Sequence, residues 1–270
     1  MSESSFANLP ILSSPQNSRV KEYVLLRADG NARREKKRFL LEGKRAVGAA
    51  LTLPHTIIHE LIFSECLGAD LELVAQAKAK QIPLVRVSRD VFKKITDVMA
   101  PQGIAAVVKI PEWNATNVFS RSDALIIVVC GLNDPGNVGT IIRSCEAAGA
   151  TALVSLEGTA DVFNAKVVRA TAASLLVLPI LRFKAAEFLV EAARRNLRLV
   201  ATRAHGGRPY KQFDWQNRPL ALCIGSEGEG LPAEIEAACQ ETVTIPMKGK
   251  AESLNAAVAA SILLFAAVGD

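Results

Sequence analysis

Three glycines fall within six residues, Gly225, Gly228 and Gly230, in the stretch CIGSEGEGLPAEI between an apolar run and a fresh helix start. Glycine turns leaving a strand let a ligand approach the backbone closely, and many of them cradle nucleotide phosphates. The charge here is wrong for phosphate, because Glu227 and Glu229 alternate with the glycines. A dinucleotide fingerprint would also sit at the first strand of its unit, and a Walker loop would continue into GKS or GKT. These glycines come late in the sequence and no such continuation follows. The turn suits a neutral or cationic ligand.

Three more loops carry residues able to do chemistry. Asp134-Pro135-Gly136 form a tight turn, after which Asn137 is placed to cap the next helix. Arg143 follows six residues later among Ile142, Ser144 and Cys145, small or apolar neighbours that favour no exposed ion pair. Thr202 and Ala204 end the run LRLVATRA and are placed to line a pocket, with His205 read as an exposed loop residue. In TIPMKGKAESLNAAVA, Pro246 ends a strand, KGKAE is a flexible turn, and Ser253 is placed to start the last helix, with Leu254 and Asn255 behind it. The five cysteines are scattered without CxxC spacing, which argues against a disulfide framework or zinc site. No metal is expected, and the setting reads as reducing and cytoplasmic.

These loops need a scaffold. Apolar runs at 125–130, 152–156, 177–181, 197–202, 220–225 and 242–245 are each followed by a helical or polar segment. Runs buried on both faces and separated by helices predict a parallel sheet of βαβ units, with ligands at the carboxyl ends of the strands. The first part of the chain also reads as α/β. A helix is expected near 18–27, then a basic turn, then helical spacing after Glu42. IIHELIFSE and IPLVRVS read as strands around a helix at 70–80, and GIAAVVKI as a last strand. Residues 113–123 lack apolar periodicity and are expected as a linker between domains at 1–112 and 124–270.

Charge divides the chain the same way. Residues 1–112 hold 17 lysines and arginines against 12 acidic residues, whereas the remainder is balanced. The excess concentrates in residues 18–45, and a basic patch attracts phosphate polyanions by counterion release. The solvated-face reading of the same lysines and arginines stays open. The run LNAAVAASILLFAAVG, 254–269, is too short for a bilayer and reads as a buried helix, partly at a subunit interface. No membrane partner is expected.

Taken together, NDPGNVGTIIRSCEAAG, LCIGSEGEGL and VTIPMKGKAESLNAAVA resemble the three motifs of the SpoU (TrmH-like) branch of the SPOUT RNA methyltransferases, in order and spacing. The first half is similar, more loosely, to that family's ribosomal-protein L30e-like substrate-binding domain, with a basic helix followed by FLLEG. The resemblance implies an α/β fold with a trefoil knot in the catalytic domain, and methyl transfer from S-adenosylmethionine to a ribose 2′-hydroxyl of RNA. It implies that Gly225, Ile245 and Leu254 contact the cofactor through their backbones, that Gly230, Leu231 and Met247 shape its pocket, and that Thr202 closes one side. Asn137, Arg143, Glu227, Ser253 and Asn255 would form the catalytic cluster.

RNA would be held by Arg33, Arg34, Lys36, Lys37, Arg38 and Lys44 of the basic region, with Lys166 and Arg169 of NAKVVRATAAS near phosphate. Ala173 stands where the family usually has glycine, and Ala256-Ala257 replaces its common Val-Ser. Arg143 has two readings: a base, if its surroundings strip its proton, or a cation that stabilises a developing alkoxide. A homodimer through the knot region and the last helix is implied. Ribosomal RNA of the 23S type is favoured over tRNA, with a non-catalytic RNA-binding protein on the same shell as the rival from another class.

Overall fold

The computed structural model describes Phe6 and residues 8–269. It divides into two units, Met1–Pro111 with Phe163–Leu176, and Glu112–Val162 with Val177–Asp270.

The strands of the first unit are β1 (Ile11–Leu12), β2 (Arg38–Glu42), β3 (Ile58–Phe63), β4 (Leu84–Val87) and β5 (Ile104–Lys109). Among the described residues they form one sheet of order β1-β4-β3-β5-β2. β1, β4 and β3 are parallel, while β5 runs antiparallel to β3 and β2. The helix expected near 18–27 is Ser18–Ala28, capped by the Asn17 side chain. Its buried Val20, Tyr23 and Leu26 recur at three-residue spacing and pack with Ile62, Phe92 and Val107. The expected basic turn is itself helical, Gly30–Lys36. Asp29 caps it by accepting the Asn31 and Ala32 amides, and it stops at Lys37, whose φ is 51°. A strong cap stabilises a helix too short to show apolar periodicity.

Residues 163–176 belong to this unit. Asn164 caps a short helix, Ala165–Ala170, and Ala172 and Ala173 follow with φ of 50° and 81°. The Phe163 and Phe39 rings lie 5.1 Å apart, and His55 Nε2 sits 2.8 Å from the Leu176 carbonyl oxygen.

The second unit holds β6 (Leu125–Val129), β7 (Ala152–Leu156), β8 (Ile180–Phe183), β9 (Arg198–Thr202), β10 (Arg208–Pro209), β11 (Leu220–Ile224) and β12 (Glu241–Thr244). Their order is β10-β12-β9-β11-β6-β7-β8 and every pairing is parallel. All five residues of β6, of β7 and of β11 are buried, as a sheet covered on both faces requires.

The apolar run at 177–181 overlaps β8 only at its end. Pro179 lacks an N–H, so the ladder starts after it, and the preceding residues form a tight turn over Ser174–Leu176. Within residues 113–123 a helix forms over Ala115–Phe119, packing Phe119 against Phe183 and Phe188 at 5.9 and 6.4 Å between centroids. Five residues are too few to display a helical period.

The Ala256–Val268 helix buries Ala256, Ala257, Ala260, Leu263, Leu264 and Ala267, and its Ser261 hydroxyl lies 2.7 Å from that of Ser144. Among the described residues no helix is long and apolar enough to cross a membrane. All five cysteines are free; burial pushes the Cys130 thiol up to about 12 and raises that of Cys145.

Candidate active site

Strands β12, β9, β11 and β6 are neighbours in a parallel sheet, so their carboxyl ends share one edge. The loop leaving β11 is folded back on itself. Ser226 and Gly230 exchange backbone hydrogen bonds, each at 3.0 Å, and the Ser226 hydroxyl accepts the Glu229 amide at 3.1 Å. Gly225 is obligatory there: a Cβ would lie 2.3 Å from the Gly230 carbonyl carbon and 2.6 Å from the Leu231 nitrogen.

This loop carries Glu227 to two other segments. Glu227 Oε1 accepts from Asn255 Nδ2 at 2.8 Å, from the Ala256 amide at 3.0 Å and from Asn137 Nδ2 at 3.2 Å. Asn255 Nδ2 also donates to Asn137 Oδ1 at 2.9 Å. The carboxylate therefore sits at the N-terminal end of the last helix, where the helix dipole favours an anion. Two asparagines and one glutamate, drawn from three segments far apart in the sequence, hold one another in place.

Two capping expectations are corrected. Asn137 lies inside the first turn of the Pro135–Ala147 helix; its cap is Asp134, which accepts the Gly136 amide at 2.9 Å, with Pro135 behind it. The last helix is capped by Asn255, whose Oδ1 accepts the Ala257 and Val258 amides at 3.0 and 3.2 Å, and not by Ser253. In both places a stronger or better-placed capping residue stood two or three positions away. Asn137 is thereby left with its amide free for Glu227.

A cavity of about 260 Å³ opens beside this network. All seven residues expected at the cofactor line it: Thr202, Gly225, Gly230, Leu231, Ile245, Met247 and Leu254. Glu227 and Ser253 line it as well, while Asn137 and Asn255 meet it through Glu227. Thr202 donates its hydroxyl to the Cys223 carbonyl at 2.8 Å, fixing the wall between β9 and β11. Arg143 is neither among the lining residues nor hydrogen-bonded to the network; it is exposed on its helix.

The sequence reading missed Arg203 and Glu236, which line the cavity as a pair, Nε to Oε1 at 2.7 Å. Nothing in the spacing of residues 33 apart signals that pairing. Ala259 and Leu263 also line it, on the helix whose apolar composition had marked it as buried.

The donor set fits S-adenosylmethionine. The walls are mainly aliphatic, with Ile224, Leu231, Ile245, Leu254 and Leu263, and no lysine is present. The one cationic wall residue, Arg203, is held by Glu236. Such a lining would accommodate a purine and an alkyl chain, and the Glu227 carboxylate complements a sulfonium; it offers nothing for a pyrophosphate. Among the described residues there is no group of His, Cys, Asp or Glu able to hold a metal ion.

The basic residues of the first unit divide by environment. Arg33 is only 2% exposed, and its Nη1 donates to the Leu26 and Arg27 carbonyls at 2.8 and 2.9 Å. It joins two helices instead of facing solvent, which corrects its expected place on an RNA-facing surface. Arg34 bonds Asn31, and Glu22 is shared by Lys36 at 3.4 Å and Arg38 at 4.0 Å. Lys37, Lys44 and Lys166 are exposed. Arg169 is tied to Asp97 at 2.5 Å, with Glu42 at 4.0 Å.

Comparison with known proteins matches two regions of the chain, and residues 163–176 of the first structural unit fall within the more C-terminal of them. Residues 124–265 match the model of the SpoU rRNA Methylase family, and residues 17–106 match an MRM3-like substrate binding domain. The chain is 32% identical to the 23S rRNA (guanosine(2553)-2'-O)-methyltransferase RlmP of Bacillus subtilis, covering 94% of this chain and 97% of that one. It is also 32% identical to a 23S rRNA (uridine(2479)-2'-O)-methyltransferase of Streptomyces viridochromogenes, over 94% and 90%. Among solved structures, an AdoMet-bound rRNA methyltransferase from Sinorhizobium meliloti superposes with a TM-score of 0.85 at 29% identity, covering 96% of this chain and 97% of that one. With a family model spanning more than half its length and relatives matched end to end, the chain belongs to the SpoU rRNA methylase family.

Proposed function

We propose that this protein is an S-adenosylmethionine-dependent RNA 2′-O-ribose methyltransferase whose substrate is large-subunit ribosomal RNA. The observation that carries this reading is the Asn137–Glu227–Asn255 network, set at the mouth of an aliphatic cavity that has a carboxylate and no phosphate-binding cation. Its relatives that act on 23S rRNA, on a guanosine in one case and a uridine in the other, support the substrate class and leave the base open.

Bound S-adenosylmethionine supplies an electrophilic methyl group on a sulfonium. Gly225, Gly230, Leu231, Ile245, Met247 and Leu254 would hold and orient it, and the Glu227 carboxylate on the same wall would complement its positive charge. Asn137 and Asn255 fix the Glu227 carboxylate, so that none of its orientation is lost on binding. Ser253, on the cavity wall, would offer its hydroxyl to the ribose. Arg143 would donate to the 2′-oxygen as the hydroxyl proton leaves to solvent, the preorganised electrostatic role that a planar guanidinium fills well.

Arg143 lies exposed, outside the cavity lining, and the last helix leaves Val258, Phe265 and Val268 exposed. Both facts support a homodimer in which a second copy covers that helix and completes the site. A trefoil knot in the catalytic domain belongs to this reading, and membership of the SpoU family supports it. Lys37, Lys44 and Lys166 supply phosphate contacts, and the five free cysteines suit a cytoplasmic protein.

The test is methylation of ribosomal RNA taken from cells that lack the protein, followed by mapping of 2′-O-methyl groups. One new ribose methyl in the large-subunit RNA is expected. Cofactor binding by calorimetry with no methyl deposited on any RNA would leave only a binding protein. A folded, active monomer in sedimentation would remove the dimer.

A further inference from the structure

A second cavity, of about 270 Å³, lies in the first unit. Glu42 and Arg45 line it beside Gly43, Val98 and Gln102 come from the segment before β5, and Arg169 and Ala172 come from residues 163–176. No residue of the methyl-transfer site takes part.

Its polar groups are half-satisfied in a consistent way. Glu42, whose side chain is 10% exposed, accepts the Thr96 hydroxyl on Oε1 at 2.7 Å, and its Oε2 stands 4.0 Å from Arg169 Nη1. Burial raises the Glu42 carboxyl above its ordinary value, and the Thr96 hydroxyl and the Arg169 guanidinium oppose that rise. Arg169 spends Nη1 on Asp97 and makes no other hydrogen bond among the described residues, so its remaining N–H groups are available as directed donors. Gln102 uses its carbonyl oxygen on the Lys44 amide at 2.8 Å and keeps its NH2 unused among the described residues. Arg45 is exposed, with no ion pair or hydrogen bond among the described residues. Ala46, Val98 and Ala172 add short apolar walls.

Unused N–H donors, one carboxylate, apolar walls and an exposed cation among the lining residues match the edge, faces and phosphate of a nucleotide. The volume is close to the lower end of the roughly 300–1,000 Å³ of small-molecule pockets, the scale of a single residue of RNA and not of a duplex. A bare phosphate would leave Glu42 and the apolar walls without a role. We propose that this cavity takes one unstacked nucleotide of the RNA substrate, with its base against Glu42, Gln102 and Arg169 and its phosphate on Arg45. The RNA in this statement rests on the methyltransferase reading above.

The full-length protein, carrying ¹³C-methyl alanine and valine, is titrated with each of the four nucleoside 5′-monophosphates and separately with inorganic phosphate. Saturable shifts of the Ala46, Val98 and Ala172 methyls are expected with at least one nucleotide, and none with phosphate alone. The Arg45→Ala/Gln102→Ala variant, and Arg45→Ala alone at an exposed position, should lose those shifts. The double variant should weaken binding of a 23S rRNA fragment about tenfold while leaving S-adenosylmethionine affinity unchanged. Methyl signals away from the cavity report whether each variant is folded. The proposal is overturned if no nucleotide moves these methyls, if phosphate alone moves them equally, or if RNA affinity is unchanged in the folded variants. Failure of the wild-type protein to methylate RNA would sink the enzyme reading instead, and the nucleotide shifts would still judge the cavity.

Discussion

In the proposed mechanism Arg143 separates chemistry from stability at a single position. It is exposed and unbonded to the network, so Arg143→Ala should move unfolding free energy by no more than about 0.5 kcal/mol. Removing a preorganised charge donor from a transition state costs roughly 100- to 1,000-fold in rate, and methylation should fall by that order. Arg143→Lys keeps the charge and loses the planar fork, so only part of the rate should return. A lysine variant as fast as the wild type would take Arg143 out of the centre of the mechanism. Glu227→Gln tests the network from the other side. The glutamine keeps an accepting oxygen for Asn137, Asn255 and the Ala256 amide but loses the charge. Hydrogen bonds to charged groups are worth about 1.5–3 kcal/mol, so cofactor affinity measured by calorimetry should drop about ten- to hundredfold. Unchanged affinity would mean that the carboxylate serves the helix end alone.

The β11 loop is the element on which both effects depend. A Cβ at Gly225 would strike the backbone of Gly230 and Leu231, which cannot rotate away as a side chain would. Gly225→Ala should therefore cost about 1–3 kcal/mol in denaturant unfolding and lower cofactor affinity with it. Gly228, where an added Cβ meets nothing within 4 Å, is the control, and Gly228→Ala should bind normally. Equal losses at both positions would refer the glycines to flexibility instead of close approach. The turn after Ala165–Ala170 makes the converse case. Ala173 holds φ at 81°, a region that L residues rarely adopt, and Ala173→Gly should stabilise by up to about 1 kcal/mol. Both sites were legible in the sequence, the first as a cluster of glycines and the second as a missing one. The strands of the second unit were legible too, because burial on both faces leaves continuous apolar runs such as LIIVV. What stayed hidden was either short or long-range. The Gly30–Lys36 and Ala115–Phe119 helices are too brief to show a period, and no local pattern joins Arg203 to Glu236; Asn137 and Glu227 were brought together only by the family resemblance.

Residues 163–176 change what a truncation of the whole chain would mean. By sequence they fall in the catalytic half, yet their partners lie in the first unit: Phe39 against Phe163, Asp97 on Arg169, and His55 at Leu176. Leu175 and Leu176 are fully buried. Excising residues 1–111 would leave this segment apolar and unpaired, and buried leucines each contribute roughly 1.5–3 kcal/mol through removal from water. The excised protein should therefore be cut first within 163–176 in limited proteolysis, ahead of any site in the parallel sheet. The cofactor cavity draws its lining only from residues between Thr202 and Leu263. Its affinity for S-adenosylmethionine should stay within about threefold, well under 1 kcal/mol, while RNA affinity falls with the loss of Lys37 and Lys44. Restoring the first unit as a separate chain should protect 163–176 and recover RNA binding together, since that unit supplies both the partners of the segment and Lys37 and Lys44. Protection without recovered binding would separate the packing role of this segment from any part it plays in holding RNA. Parallel loss of cofactor and RNA affinity on excision would show that the two halves of the chain do not divide the work in this way.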